Sequence, residues 1–463
     1  MPLYDDTAFR NKKVTVMGLG SFGGGGGAAR FLAGLGARVT VTDLKGEEHL
    51  RESMDALRGL GIRFVLGRHE MGDFTDANLI VVSPAVPRGS EFVTAARSAG
   101  AALTTELGLF VGRCPAGICG VTGSNGKTTT VSMLKSILER SGERFFVGGN
   151  IGGSLLSELD HIAPGDRVVI EVSSFQLEWL DELSWSPRIA AILNIMPNHL
   201  DRHGTLENYR EAKALILRHQ KQDDTAVLVR DDPGSAAMQD RVQGKLVWAG
   251  TVPGGSGVTV EKGWIVERRG SRIVKICEPS RLLVPGKHNI LNALAAAACA
   301  LELGIGHSAI GDGLISFRGV PHRLEYIGER SGVLFFNDSK ATTPEAAAAA
   351  VASFVQPVIP ILGGYDKGMP FDAMAENMAG RVKWAALIGE TAERIGKELK
   401  RAGIPSKRFH SLEEAFRGCL EHAGQGDVVV LSPGCASYDM FNNYEERGGL
   451  FRDIVRRYIE STG

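Results

Sequence analysis

Short apolar runs rich in β-branched residues recur along the chain. Each is followed by a glycine-rich or polar turn and then by a stretch with helical spacing. The first is Lys13–Met17; a glycine loop follows it, and helical spacing extends to about Leu35. Val39–Thr42 and Leu79–Val82 repeat the pattern. A second block opens at Ala116–Val121 and continues through Val168–Val172 and Ile189–Leu193. After Val227–Val229 comes a glycine-rich stretch to about Pro285 without helical period, which predicts hairpins on one edge of a sheet. An alanine-rich helix is predicted from about Asn289 to Leu303. The third block starts near Arg318 and carries Val333–Phe336, Val358–Leu362, Ala385–Ile388 and Val428–Leu431. Strands alternating with helices predict βαβ units and parallel sheets. The expected fold class is α/β in three domains, over residues 1–112, 113–317 and 318–463. The first is Rossmann-like. The second is P-loop ATPase-like, its mostly parallel sheet ending in a β-rich edge. The third is again Rossmann-like.

A length of 463 residues suits three domains. The formal net charge of -1 offers no basic field for nucleic acid. The N-terminus has charges but no apolar stretch behind them, so no secretory leader is predicted. The run from Gly18 to Ala37 is too glycine-rich, and too interrupted by Arg30, to span a bilayer. None of the six cysteines forms a Cys-x-x-Cys pair, and they are expected as isolated reduced thiols. These features together predict a cytoplasmic protein.

Two glycine loops carry candidate chemistry. Gly18-Leu19-Gly20-Ser21-Phe22-Gly23 fits G-x-G-x-x-G directly after a strand, and Asp43 ends the next strand. That spacing suits a diphosphate and a sugar hydroxyl, in a dinucleotide or equally in a nucleotide-sugar. The five glycines Gly23–Gly27 suit backbone anion binding or a flexible turn. The second loop, Thr122-Gly123-Ser124-Asn125-Gly126-Lys127-Thr128-Thr129, also joins a strand to a helix. Lys127 is placed to reach the β- and γ-phosphates of a nucleoside triphosphate, and Thr128 to ligate Mg²⁺. Val121 stands where the strict pattern has its first glycine. Glu171 lies in an apolar strand, where a carboxylate is costly unless paired or metal-bound; the bland alternative is an exposed strand end. Asn194 ends a further strand. The turn Asn198-His199-Leu200-Asp201-Arg202-His203-Gly204 follows, where α/β proteins bind ligands.

TGSNGKTT, EVSSFQLE, NIMPNHLDRHGT, HNILNALAAAA, PHRLE and NDSKATTP resemble the Mur ligases in order and spacing. LSPGCASYDMFNNYEERG is similar to the D-glutamate-adding branch of that family. The D-N-P-R string of the diaminopimelate-adding branch is missing. The resemblance implies an ATP-dependent ligase of cell-wall precursor synthesis that is required for cell shape and division. Its first domain would hold UDP-N-acetylmuramoyl-L-alanine and its second ATP and two Mg²⁺ ions. Its third would bring D-glutamate and close over the site. Gly123, Ser124, Asn125, Gly126, Lys127, Thr128 and Thr129 carry over to ATP, with Asn289 and Asn292 on the adenine side, Arg323 at phosphate and Asp338 at ribose. Thr128 and Glu171 carry over to one Mg²⁺. His199 and Lys213 carry over to the other, Lys213 matching a lysine that the family carbamylates. The catalytic set is therefore Lys127, Glu171, His199 and Lys213. Gly20, Ser21, Phe22, Asp43, Lys45, Ser83, Asn150 and His199 match the UDP-sugar side; the first-domain positions depart most from the family pattern. Arg202, Lys340, Thr342, Lys367, Ser437 and Tyr444 match positions near the D-glutamate carboxylates, with tyrosine where the family usually has phenylalanine. A monomer without nucleic-acid or membrane partners is expected. Rival readings are another amino-acid ligase of the superfamily, a nicotinamide oxidoreductase using the Gly18 loop, and a nucleotide-switched binding module.

Overall fold

The computed structural model describes residues 9–19, 24–252 and 254–461. Three sheets form. β1 (Lys13–Met17), β2 (Arg38–Asp43), β3 (Arg63–Leu66), β4 (Leu79–Val82) and β5 (Ala102–Thr104) make an all-parallel sheet ordered β3-β2-β1-β4-β5. The reversal of strand order at β1 places the ends of β2, β1 and β4 side by side, where open α/β sheets bind ligands.

The second sheet comprises β6 (Ile118–Thr122), β7 (Phe145–Gly149), β8 (Arg167–Glu171), β9 (Ile189–Ile192), β10 (Thr225–Val229), β11 (Lys245–Gly250), β12 (Gly257–Glu261), β13 (Trp264–Arg269) and β14 (Arg272–Cys277). Its order is β14-β13-β12-β11-β10-β9-β6-β8-β7. The central strands β6, β9 and β10 are buried throughout, as helix-covered parallel strands must be. The predicted β-rich edge is present but differs in detail. β11 and β12 continue the parallel set, and only β12-β13-β14 are hairpin-connected and antiparallel. The connection between β11 and β12 spans only residues 251–256, too few for a helical periodicity to reveal a crossover.

The third sheet has the order β15-β16-β20-β17-β18-β19. Its strands are β15 (Glu325–Arg330), β16 (Val333–Asn337), β17 (Val358–Leu362), β18 (Ala385–Leu387), β19 (Ser406–Arg408) and β20 (Val428–Leu431). Only β15 runs antiparallel to its neighbour.

Two compact units result, one of Met1–Cys277 with Leu291–Gly313, the other of Glu278–Ile290 with Leu314–Gly463. The first two sheets share the first unit because one apolar core runs through both. It joins Val14, Val39 and Leu79 to Leu107, Leu109 and Phe110, and these to Leu155, Ile170 and Ile192. The expected division at 112/113 therefore follows a helix, Glu106–Val111, that lies inside this core.

The polyglycine run also differs from expectation. Gly24–Gly27 open a helix, Gly24–Gly34. A Cβ on Gly25 would lie 2.1 Å from the Gly18 carbonyl oxygen, and one on Gly27 would lie 2.3 Å from Ser154 Cβ. Helical glycine costs about 1 kcal/mol against alanine; here two of the four let the helix approach the first loop and the Ser154 side chain. All six cysteines are free and five are buried, though the thiols of Cys119 and Cys299 adjoin rather than standing alone. Among the described residues no helix is long and apolar enough to cross a membrane.

Candidate active site

The second glycine loop leaves β6 and enters the helix Lys127–Ser141 through Gly126, whose φ of 82° suits a residue without Cβ. Lys127, Thr128 and Thr129 form the helix's first turn, where backbone N–H groups and the helix dipole favour an anion. The Lys127 ammonium donates to the carbonyls of Gly123 (2.8 Å) and Ser124 (3.1 Å). Asn194 braces the loop: its side chain accepts from Asn125 N (2.8 Å) and donates to Asn125 O (3.0 Å). Ser124 Oγ and Met196 tie the same two segments through two further bonds. A Cβ on Gly126 would lie 2.3 Å from Asn292 Oδ1, so this expected adenine-side residue stands against the loop.

Glu171 ends β8, beside β6, and is 2% exposed. Its Oε2 accepts from Thr128 Oγ1 (2.8 Å) and its Oε1 from Asn150 Nδ2 (2.9 Å). Asn150 follows β7, the next strand, so Thr128, Glu171 and Asn150 meet across three adjacent strand ends. The exposed-glutamate alternative is excluded. A hydroxyl oxygen and a carboxylate are hard donors, and their contact fits one Mg²⁺ site.

Lys213, on the helix Leu206–Arg218, is 1% exposed. Its Nζ donates to Gly123 O (2.9 Å) and lies 4.6 Å from the centre of the Tyr209 ring. Burial pushes its ammonium well below the ordinary lysine range; Lys127 adds to the effect and Glu171 opposes it. His199 begins the short helix Leu200–His203 with left-handed backbone (φ 51°), exposed, its ring 5.2 Å from Phe175 and 6.3 Å from Tyr209. His199 and Lys213 thus both face Tyr209, a buried residue that the sequence reading passed over. An ammonium cannot ligate a cation, so the second metal site fits only if Lys213 is modified.

In the first sheet Asp43 accepts from Leu19 N (2.9 Å) and Lys45 N (2.9 Å). A Cβ on Gly18 would lie 3.0 Å from Ser83 Cβ. Asp43, Lys45 and Ser83 thus surround the start of the first loop, whose Gly20, Ser21 and Phe22 lie outside the described residues. Arg202, expected near the D-glutamate carboxylates, contacts the loop past β4. Its guanidinium donates to Ala85 O (2.7 Å) and Val86 O (2.9 Å), just past Ser83, and lies over the Phe175 ring.

In the second unit, Lys340 and Thr342 follow β16, Lys367 follows β17 and Ser437 follows β20. These strands are neighbours, so the expected amino-acid residues converge on one sheet end. Tyr444 opens the helix Tyr444–Glu460, with Lys340 Nζ 5.5 Å from its ring centre. Burial, reinforced by Glu445, pushes its phenol up to about 12. Lys340, Lys367 and Arg323 are exposed, whereas Asn289 is buried and donates to Pro285 O (2.6 Å). Arg447, to which the sequence reading gave no role, is completely buried behind these loops.

Asp338 is buried, accepting from Leu324 N (3.1 Å) and Ser432 Oγ (2.9 Å). Burial raises its carboxyl to about 7 against an ordinary 3.8. The native state therefore binds a proton that the unfolded chain has released, and stability falls as pH rises through this window. Asp338→Asn removes that titration. Its melting temperature relative to wild type should climb from pH 4 to pH 8, and a constant difference across that range would contradict the assignment.

Profiles of known domains match along the chain: a Mur ligase MurD-like N-terminal domain over residues 12–105, a Mur ligase middle domain over 121–300, and a Mur ligase glutamate ligase domain over 322–435. The UDP-N-acetylmuramoylalanine–D-glutamate ligase of Roseiflexus sp. (strain RS-1) is 43% identical over 461 residues, covering 96% of this chain and 99% of the relative. That of Thermoanaerobacter pseudethanolicus is 38% identical over 450 residues, covering 96% and 98%. Among solved structures, the UDP-N-acetylmuramate-alanine ligase MurC of Thermotoga maritima aligns with a TM-score of 0.58 at 22% identity, covering 97% of this chain and all of that one. MurF of Acinetobacter baumannii aligns with a TM-score of 0.58 at 20% identity, covering 96% and 94%. Both share the fold.

Proposed function

Since the chain belongs to the Mur ligase family, we propose that it joins D-glutamate to UDP-N-acetylmuramoyl-L-alanine, converting ATP to ADP and phosphate, in peptidoglycan precursor synthesis. The observation that carries the ligase chemistry is the Thr128–Glu171 contact beside Lys127, a phosphate cradle with a cation site built in. The D-glutamate assignment is supported by the relatives and by the cations and hydroxyls gathered at the ends of β16, β17 and β20.

A carboxylate is a poor acyl donor because oxide cannot leave. Phosphorylation by ATP gives an acyl-phosphate, which the amine of D-glutamate attacks, expelling phosphate. Lys127 leaves its carbonyl partners to neutralise charge on the β- and γ-phosphates, and the helix N-terminus adds N–H donors. Asn292 and Asn289 serve the adenine, Asp338 the ribose and Arg323 a phosphate. Two Mg²⁺ ions, one held by Thr128 and Glu171 and the other by His199 and carbamylated Lys213, would supply further charge neutralisation. Asn150 holds the UDP-sugar substrate near the transferring phosphoryl, and Asp43, Lys45 and Ser83 surround its diphosphate. Lys340, Thr342, Lys367, Ser437 and Tyr444 take the two carboxylates of D-glutamate and leave its amine free. Division into domains at 112/113 and 317/318, action as a monomer and a cytoplasmic site of action belong to the same reading.

The test is phosphate release and product mass with ATP and UDP-N-acetylmuramoyl-L-alanine across a panel of amino acids. Turnover should require D-glutamate. Preference for another amino acid, or calorimetric binding of NAD(H) with no heat from the UDP-sugar, would overturn the reading.

A further inference from the structure

We propose that Arg447 is the positioning residue that holds the D-glutamate-binding loops in register and thereby sets selectivity for the length of the amino-acid side chain. The proposal rests on the functional reading above.

Arg447 sits one turn into the helix Tyr444–Glu460 and is 0% exposed. All its hydrogen bonds go to uncharged acceptors. Nε donates to Ser339 Oγ (2.9 Å) and Nη2 to Ser339 O (2.8 Å). Nη1 donates to Cys435 O and Ala436 O, each at 3.2 Å, and Nη2 also reaches Cys435 O at 3.2 Å. Ser339 immediately precedes Lys340 after β16, and Ala436 immediately precedes Ser437 after β20. The third loop touches the same group, since a Cβ on Gly364, after β17, would lie 3.2 Å from Nη1. Ser339 Oγ in turn donates to Tyr444 O (2.8 Å). One planar fork thus fixes the backbone beside Lys340 and Ser437 and packs against the loop that leads to Lys367.

A buried cation hydrogen-bonded to no carboxylate is an expensive way to fill a core. An apolar residue of similar volume would pack the helix against the sheet, but it could not bind two loops at once. The distance between those loops decides which dicarboxylate spans them. Lysine keeps the charge and loses the rigid bidentate geometry.

Steady-state kinetics of wild type, Arg447→Lys and Ser339→Ala with D-glutamate and the one-methylene-shorter D-aspartate test this. For Arg447→Lys the KM for D-glutamate should rise tenfold or more, while KM values for ATP and the UDP-sugar stay within twofold. The kcat/KM preference for D-glutamate over D-aspartate should fall tenfold or more. Ser339→Ala should move both quantities in the same direction by less. General destabilisation would lower the active fraction, and so kcat, without moving a KM or a selectivity ratio. An unchanged D-glutamate KM and ratio in a folded Arg447→Lys would overturn the proposal. If that variant does not fold, an unchanged ratio in Ser339→Ala would do so. Wild-type activity with D-glutamate separately decides the underlying functional reading.

Discussion

Lys127→Ala should fold normally and lose kcat by about 10²–10³-fold, the loss of ~3–4 kcal/mol of transition-state stabilisation expected when one charge-stabilising donor is removed. The expectation follows from position. Lys127 opens a helix directly after a left-handed glycine, and its ammonium already lies across the loop carbonyls where phosphate oxygens would sit. Those carbonyl contacts are weak competitors for a triphosphate. The side chain is only partly buried, so its removal leaves no large cavity. Circular dichroism should match wild type, and phosphate release in the full assay is the readout. Turnover within tenfold of wild type would refute the P-loop assignment.

Lys213→Ala should be nearly as damaging, for a different reason. A solvated helix lysine can be truncated for no more than about 0.5 kcal/mol. Lys213 is instead sealed beneath the loop, with its ammonium disfavoured by burial and by Lys127. The neutral amine that burial favours is the form that reacts with CO₂, giving an anionic oxygen ligand in place of a cation. Acetate added to the alanine variant should restore part of the activity by supplying that oxygen, whereas methylamine should restore none. Full activity without additive, or rescue by the amine alone, would exclude the carbamate.

The three-sheet architecture and the strand-end placement of Lys127, Thr128, Glu171 and Asn194 were legible because local pattern determines them: β-branched runs, glycine turns and one carboxylate out of place in an apolar strand. Short strands escaped notice. β3, β5, β7 and β19 are three to five residues long and, unlike the equally short β4 and β20, carry at most one β-branched residue each, so no apolar β-branched run marks them. Arg202 shows a second limit. Its motif marks it as functional, yet which carbonyls its guanidinium meets depends on a loop more than a hundred residues away, past Ser83. The polyglycine run shows a third, because glycine signals a need for space without saying whether a ligand or a neighbouring chain segment fills it. Arg447 is the extreme case. A charge in a charged string looks solvated, and only tertiary structure reveals that it is among the largest fully buried side chains of the described residues.

The core shared by the first two sheets bears on how such enzymes can be recombined. Exchanging the first sheet and its helices between relatives by cutting after residue 112 would sever no flexible tether. It would transplant one half of an interior, with Leu107, Leu109 and Phe110 facing Leu155 and Ile170 of a foreign partner. Gly27 would meet a new Ser154 equivalent at a distance that tolerates no side chain. A workable chimaera must therefore carry the complementary faces of the middle sheet along with the first, so the exchangeable block is larger than the first sheet alone.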